Sequence, residues 1–143
     1  MLNINIVCVG GLREPFYAAA CAEYAKRLTP MCALKVYEEK SDDALQTRLG
    51  KLERDYKIAL CVEGKMLSSE QLAQKIATLQ VNGTSAVTFV IGGAEGLSET
   101  AKSACDLRLS MSPMTFPHQL ARLLVTEQVY RALSINGGSG YHK

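Results

Sequence analysis

Ala86-Val87-Thr88-Phe89-Val90-Ile91-Gly92-Gly93-Ala94-Glu95-Gly96-Leu97 decides how this chain is read. Its first half is a short apolar run rich in β-branched and aromatic residues, the pattern of a buried strand. The run empties directly into a Gly-rich turn, where missing side chains let a ligand or another backbone come close. Alone, that turn fits a tight strand-to-helix connection as well as a ligand loop. It is not the GxGxxG of a dinucleotide site, and the chain has no Walker motif.

Outward from this stretch, strand-like and helix-like segments alternate. Upstream, Leu2 to Gly10 reads as a strand, Pro15 to about Leu28 as a helix, and Ala33 to Glu38 as a half-exposed strand. Ser41-Asp42-Asp43 caps a polar helix reaching about Asp55, and Ile58 to Val62 is a short strand that stops at Glu63-Gly64-Lys65. Ser68 and Gln71 have the spacing of a capping box for a helix to about Val81. Downstream, a short helix follows Ser98, a strand covers Asp106 to Met111, and the longest helix runs from Pro117 to about Ile135. Strict β-α alternation predicts an α/β sandwich with a largely parallel sheet and helices on both faces. Length predicts one domain over residues 1–143.

Composition narrows the class. Apolar residues make up 48% and charged residues 21%, ordinary for a globular protein. No apolar run has membrane-spanning length, and the first residues lack a basic signal region, so the expected location is the cytoplasm. Five cysteines without a CxxC, and only two histidines, predict buried thiols and no metal site. The net charge of +2 is weak for a nucleic-acid binder. It is concentrated late: Arg108, Arg122, Arg131 and Lys143 face Glu127 alone across residues 108–143.

In open parallel sheets ligands sit beyond the carboxyl ends of the strands. Three such ends are loaded here: Leu60 to Lys65, Ile91 to Leu97, and Ser110-Met111-Ser112-Pro113-Met114-Thr115-Phe116-Pro117. The last helix is apolar around much of its circumference, so a face is left for a second cover such as a partner subunit. Arg122 and Arg131 lie about 180° apart on it, which keeps them from one site within one subunit.

Several blocks resemble one family: Glu63-Gly64-Lys65-Met66-Leu67-Ser68-Ser69-Glu70, Phe89 to Leu97, Met114-Thr115-Phe116-Pro117-His118-Gln119 with Arg122, Glu127 to Ala132, and Tyr141-His142-Lys143. In this order they are similar to the RlmH family, small bacterial SPOUT-class methyltransferases, over essentially the whole chain. The resemblance implies a SPOUT-type sandwich whose C-terminal part forms a trefoil knot, and a homodimer. It implies S-adenosylmethionine as cofactor and methylation of pseudouridine N3 in helix 69 of 23S rRNA, at the position called 1915, in the assembled ribosome. Carried over by motif, the cofactor residues are Leu60, Gly92, Met111, Ser112, Pro113, Met114, Thr115 and Phe116. Arg122, Arg131, Tyr141, His142 and Lys143 are the candidate RNA contacts. The general base is open among His118, Glu127, Tyr141 and His142. The segment from Lys40 to Leu52 is shorter than is usual in the family. Two rivals use fewer of these features: a nucleotide-binding regulatory module, and a non-catalytic ribosome-associated protein.

Overall fold

The computed structural model describes residues 1–141; His142 and Lys143 lie outside the described residues. Five strands, β1 (Asn3–Val9), β2 (Ala33–Glu39), β3 (Tyr56–Met66), β4 (Ala86–Ile91) and β5 (Leu107–Ser110), alternate with five helices. The helices are α1 (Pro15–Leu28), α2 (Asp42–Lys51), α3 (Ser69–Val81), α4 (Glu99–Ser103) and α5 (His118–Asn136). The sheet order is β2-β1-β4-β3-β5, and every pairing is parallel.

Side chains leave a strand to opposite faces in turn, so the alternation in β1 and β4 sorts the core into two layers. Ile4, Ile6 and Cys8 with Val87, Phe89 and Ile91 pack on α1, α3 and α5 through Leu28, Ile76, Val125 and Val129. Val7, Ala59 and Val90 face the other way, onto Leu45 and Leu49 of α2 and Ala101 of α4. Both faces are therefore covered, as a parallel sheet requires. Among the described residues, no helix is long and apolar enough to cross a membrane.

The caps behave as their sequence predicts. Ser68 and Gln71 form a full capping box, and Ser41 accepts the Ala44 N–H at 3.1 Å. Two boundaries differ from the expected ones. Helix α2 ends at Lys51 rather than near Asp55, because a tight turn redirects the chain and spends Asp55 on the sheet. There Asp55 Oδ2 accepts hydrogen bonds from Asn5 Nδ2 and Thr88 Oγ1, both at 2.8 Å, which satisfies two buried polar groups. Strand β3 continues through Glu63-Gly64-Lys65 to Met66 instead of stopping at Val62. It bulges between Leu60 and Lys65, and both flanks pair with Leu109 of β5. Gly64 permits this return, since a Cβ there would lie 2.7 Å from the Arg108 carbonyl carbon.

Candidate active site

The three loaded strand ends converge. The carboxyl ends of β3, β4 and β5 sit side by side in the sheet, and the loops that follow enclose one cleft of about 350 Å³. Leu60 lines it from β3, Gly92 and its neighbours through Leu97 from the Gly-rich turn, and Met111, Ser112, Met114, Thr115 and Phe116 from the third loop. Pro113 is exposed and does not line the cleft, although residues on both sides of it do. His118, at the start of α5, closes one side.

Close packing fixes these loops. A Cβ on Gly92 would lie 2.4 Å from the carbonyl carbon of Gly96, so the turn folds onto its own backbone. The Gly96 N–H closes it by bonding the Gly93 carbonyl at 3.0 Å, and Gly96 takes a φ of 77°, in the left-handed region. In the third loop Ser110 Oγ donates to the Ser112 carbonyl at 3.0 Å, while Ser112 Oγ accepts the Met114 N–H at 3.0 Å. Serine side chains thus shape the loop, and its rim offers main-chain groups beside exposed Met114 and Phe116. The cleft combines an apolar floor (Leu60, Ile91, Met111) with peptide groups, the setting for a flat heterocycle read by backbone hydrogen bonds.

Cys8, Cys21 and Cys32 are buried, whereas Cys61 and Cys105 are half-buried, so the expectation of buried thiols holds for three of the five. Burial pushes the Cys8, Cys32 and Cys105 thiols up to about 11, and burial followed by Glu63 raises Cys61, which lines the cleft. Among the described residues, no group of three or more potential metal ligands occurs.

The remaining candidates divide into two groups. His118 belongs to the cleft. Arg122 lines a small adjoining hollow with His118, where its Nη1 pairs with Glu38 and lies 3.9 Å from Cys8 Sγ. Glu127, Arg131 and Tyr141 form a separate cluster. Tyr141 donates its hydroxyl proton to Glu127 Oε2 at 3.1 Å, and Arg131 Nη2 pairs with the same oxygen at 2.8 Å. The Tyr141 ring rests edge-on against Tyr130 at 4.6 Å, with the Arg131 guanidinium 4.9 Å from its centroid. Bonding to the Tyr24 hydroxyl, then burial and Glu127, raise the Tyr141 phenol above its ordinary range. It remains a hydrogen-bonding phenol at neutral pH rather than a ready base. Glu127 lies nine residues along α5 from His118, a rise of roughly 13.5 Å. One subunit therefore does not bring both groups to one point. His142 and Lys143 lie outside the described residues.

Sequence reasoning overlooked three participants. Gln119 Oε1 accepts the N–H groups of Arg13 at 2.7 Å and Glu14 at 3.2 Å, and so caps α1 from another helix. The absence of a capping side chain at Glu14 was the available signal. Glu38, the partner of Arg122, is 84 residues away in sequence, and nothing local announces it. Lys102 of α4 pairs with Glu63 on the cleft wall; Glu63 belongs to a quoted motif, whereas no motif surrounds Lys102.

An open parallel sheet whose strand-end loops enclose a backbone-lined cleft defines an α/β protein with its candidate ligand site at the strand ends. The family described as "Predicted SPOUT methyltransferase" matches residues 2–142, and the chain belongs to that family. Its relatives include "Ribosomal RNA large subunit methyltransferase H" of Clostridioides difficile, 42% identical over 159 residues, with 99% of this chain and 100% of that protein covered. The protein of the same name from Leuconostoc mesenteroides is 40% identical over 161 residues, again covering 99% and 100%. These alignments exceed the 143 residues present, so the relatives carry positions that this chain lacks. The solved structure of a probable methylase family protein from Haemophilus influenzae superposes with a TM-score of 0.63 at 14% identity, over 99% of this chain and 71% of that one. A tRNA (m1G37) methyltransferase from Aquifex aeolicus gives 0.58 at 12% identity, over 91% and 69%. At such identities these two structures speak for the fold.

Proposed function

We propose that this protein is the large-subunit rRNA methyltransferase of its family, using S-adenosylmethionine to methylate N3 of a pseudouridine in helix 69 of the assembled ribosome. The observation that carries the reading is the convergence of three strand-end loops on one cleft walled by main-chain groups. The cleft fits this cofactor. Leu60, Ile91 and Met111 offer an apolar surface for an adenine, and the peptide groups of 92–97 and 111–116 offer donors and acceptors for its edge and for a ribose. When bound, the cofactor supplies a methyl group on a sulfonium that is already a good leaving group.

The chain's own task is then alignment and removal of the N3 proton. The close-packed Gly92–Gly96 turn holds its peptide groups fixed, so little freedom remains to be lost on binding. His118 is the candidate base that lines the cleft, whereas Glu127 and Tyr141 do not. Glu127 and Arg131 are too far along α5 to serve the cleft of their own subunit, and Tyr141, beyond the helix, is tied to Glu127. We assign them to the cleft of a partner in a homodimer, with Arg131 and the C-terminal tail toward RNA. Leu120, Leu123 and Leu124 of α5 are only half-buried, which leaves apolar surface for such a partner. The β5–α5 segment is read as the threaded part of the trefoil knot that the family resemblance implies.

A net charge of +2 gives weak non-specific attraction to RNA, which favours a substrate recognised by shape within a particle. The test is incubation with labelled S-adenosylmethionine and ribosomes lacking the modification, followed by mapping of the label. We expect label at a single pseudouridine of helix 69 in ribosomes, and little in a bare helix 69 hairpin. Absence of label, label at another position, or efficient methylation of the hairpin would each refute the reading.

A further inference from the structure

The wall of the cleft carries a charge pair that main-chain recognition of adenosine leaves unused. Lys102 of α4 and Glu63 of the β3 bulge both line the cleft, and Lys102 Nζ pairs with Glu63 Oε1. Lys102 is the only lysine or arginine among the described residues lining this cleft. Its side chain is 17% exposed, whereas Glu63 is 54% exposed, so the cation is the sheltered member. The pair is held from outside as well: Arg108, fixed by Glu99 at 2.7 Å, adds positive charge beside Glu63. The wall thus presents an ammonium and a carboxylate at hydrogen-bonding separation. An α-amino acid zwitterion has the same two charges and can dock antiparallel to them, carboxylate to ammonium and ammonium to carboxylate.

We infer that Lys102 and Glu63 form the subsite for the amino-acid end of the cofactor, with Lys102 binding its carboxylate and Glu63 its ammonium. This rests on the cofactor reading above and adds the residues that distinguish a complete cofactor from its adenosine half. The two ion pairs of protein and ligand exchange partners, so neither charge is left unpaired in the complex.

Calorimetry on the full-length chain tests this with two probes. S-adenosylhomocysteine keeps the zwitterion; 5′-methylthioadenosine lacks it. The wild-type protein should prefer S-adenosylhomocysteine. Lys102→Met should weaken S-adenosylhomocysteine about tenfold, as expected for one lost charge-assisted bond, and leave methylthioadenosine unchanged. Glu63→Gln should act in the same direction to a smaller extent, since this group is more exposed. Retained methylthioadenosine binding shows that each variant is folded. Wild-type protein that binds both probes equally, a Lys102→Met variant that weakens both alike, or one that changes neither would overturn the inference while leaving the cofactor reading intact. Wild-type protein that binds neither probe would overturn both.

Discussion

Gly92→Ala tests the physical basis of the cleft directly. The added Cβ would lie 2.4 Å from the carbonyl carbon of Gly96, 2.6 Å from the Leu97 nitrogen and 2.9 Å from the Gly96 Cα. Ordinary contacts start near 3.4 Å, so the 93–96 turn must retreat by about 1 Å. All three obstructing atoms are backbone, and no flexible side chain can swing aside. Overpacking of this kind costs about 1–3 kcal/mol, which corresponds to a Tm lower by roughly 3–10 °C at this size. The larger consequence is functional. The peptide groups lining the cleft lose their positions, and S-adenosylhomocysteine should bind more than about tenfold more weakly, because hydrogen bonds weaken steeply off geometry. Gly50→Ala is the control. Gly50 lies in α2 with nothing within 4 Å of its Cβ site, so alanine there should stabilise the fold by about 0.5–1 kcal/mol. Urea denaturation and calorimetry on both variants give the answer. If Gly92→Ala matched the wild type in midpoint and in ligand affinity, the account of the turn would be wrong.

Tyr141→Phe removes the hydroxyl that joins Glu127 to Tyr24; methyl transfer to ribosomes should fall while S-adenosylhomocysteine affinity stays the same, and equal loss of both would refute the separation of tail and cleft. Ser68→Ala breaks the capping box of α3 and should lower stability by about 1 kcal/mol in a denaturant titration. Stability should decline between pH 9 and 11. The Cys8, Cys32 and Cys105 thiols titrate near 11 in the folded protein against an ordinary 9.0, so the unfolded chain releases these protons first. Their contribution is complete below pH 9 and disappears as the pH rises through the folded values. A urea midpoint unchanged from pH 8 to pH 10.5 would contradict it.

Much of the architecture was legible because it depends on local rules. The apolar run from Val87 to Ile91 could be satisfied only by burial, and the capping box at Ser68 needed nothing beyond four residues of sequence. The Glu23–Arg27 and Glu127–Arg131 pairs follow from helical spacing in the same way. The misplaced boundaries have non-local causes. Asp55 leaves the path of α2 because Asn5 and Thr88 need an acceptor, and those residues lie 50 and 33 positions away. Glu63-Gly64-Lys65 resembles a turn but is a strand, since the pairing that holds it comes from β5.

The candidate site divides along the same line. Sequence alone placed candidate ligand loops at three strand ends, because glycine and proline impose backbone conformations that neighbours rarely overrule. It also marked His118, Glu127 and Tyr141 as chemically capable. Only the tertiary arrangement decided that the three loops enclose one cleft, that Pro113 stands outside its lining, and that Glu127 and Tyr141 belong to a different cluster from His118. It also decided that Arg122 is held by Glu38 and that Lys102 and Glu63 share the cleft wall. The physical reason is range: backbone preference and capping act over a few residues, whereas charge pairing and cleft geometry join residues that meet only when the sheet order brings their strands together.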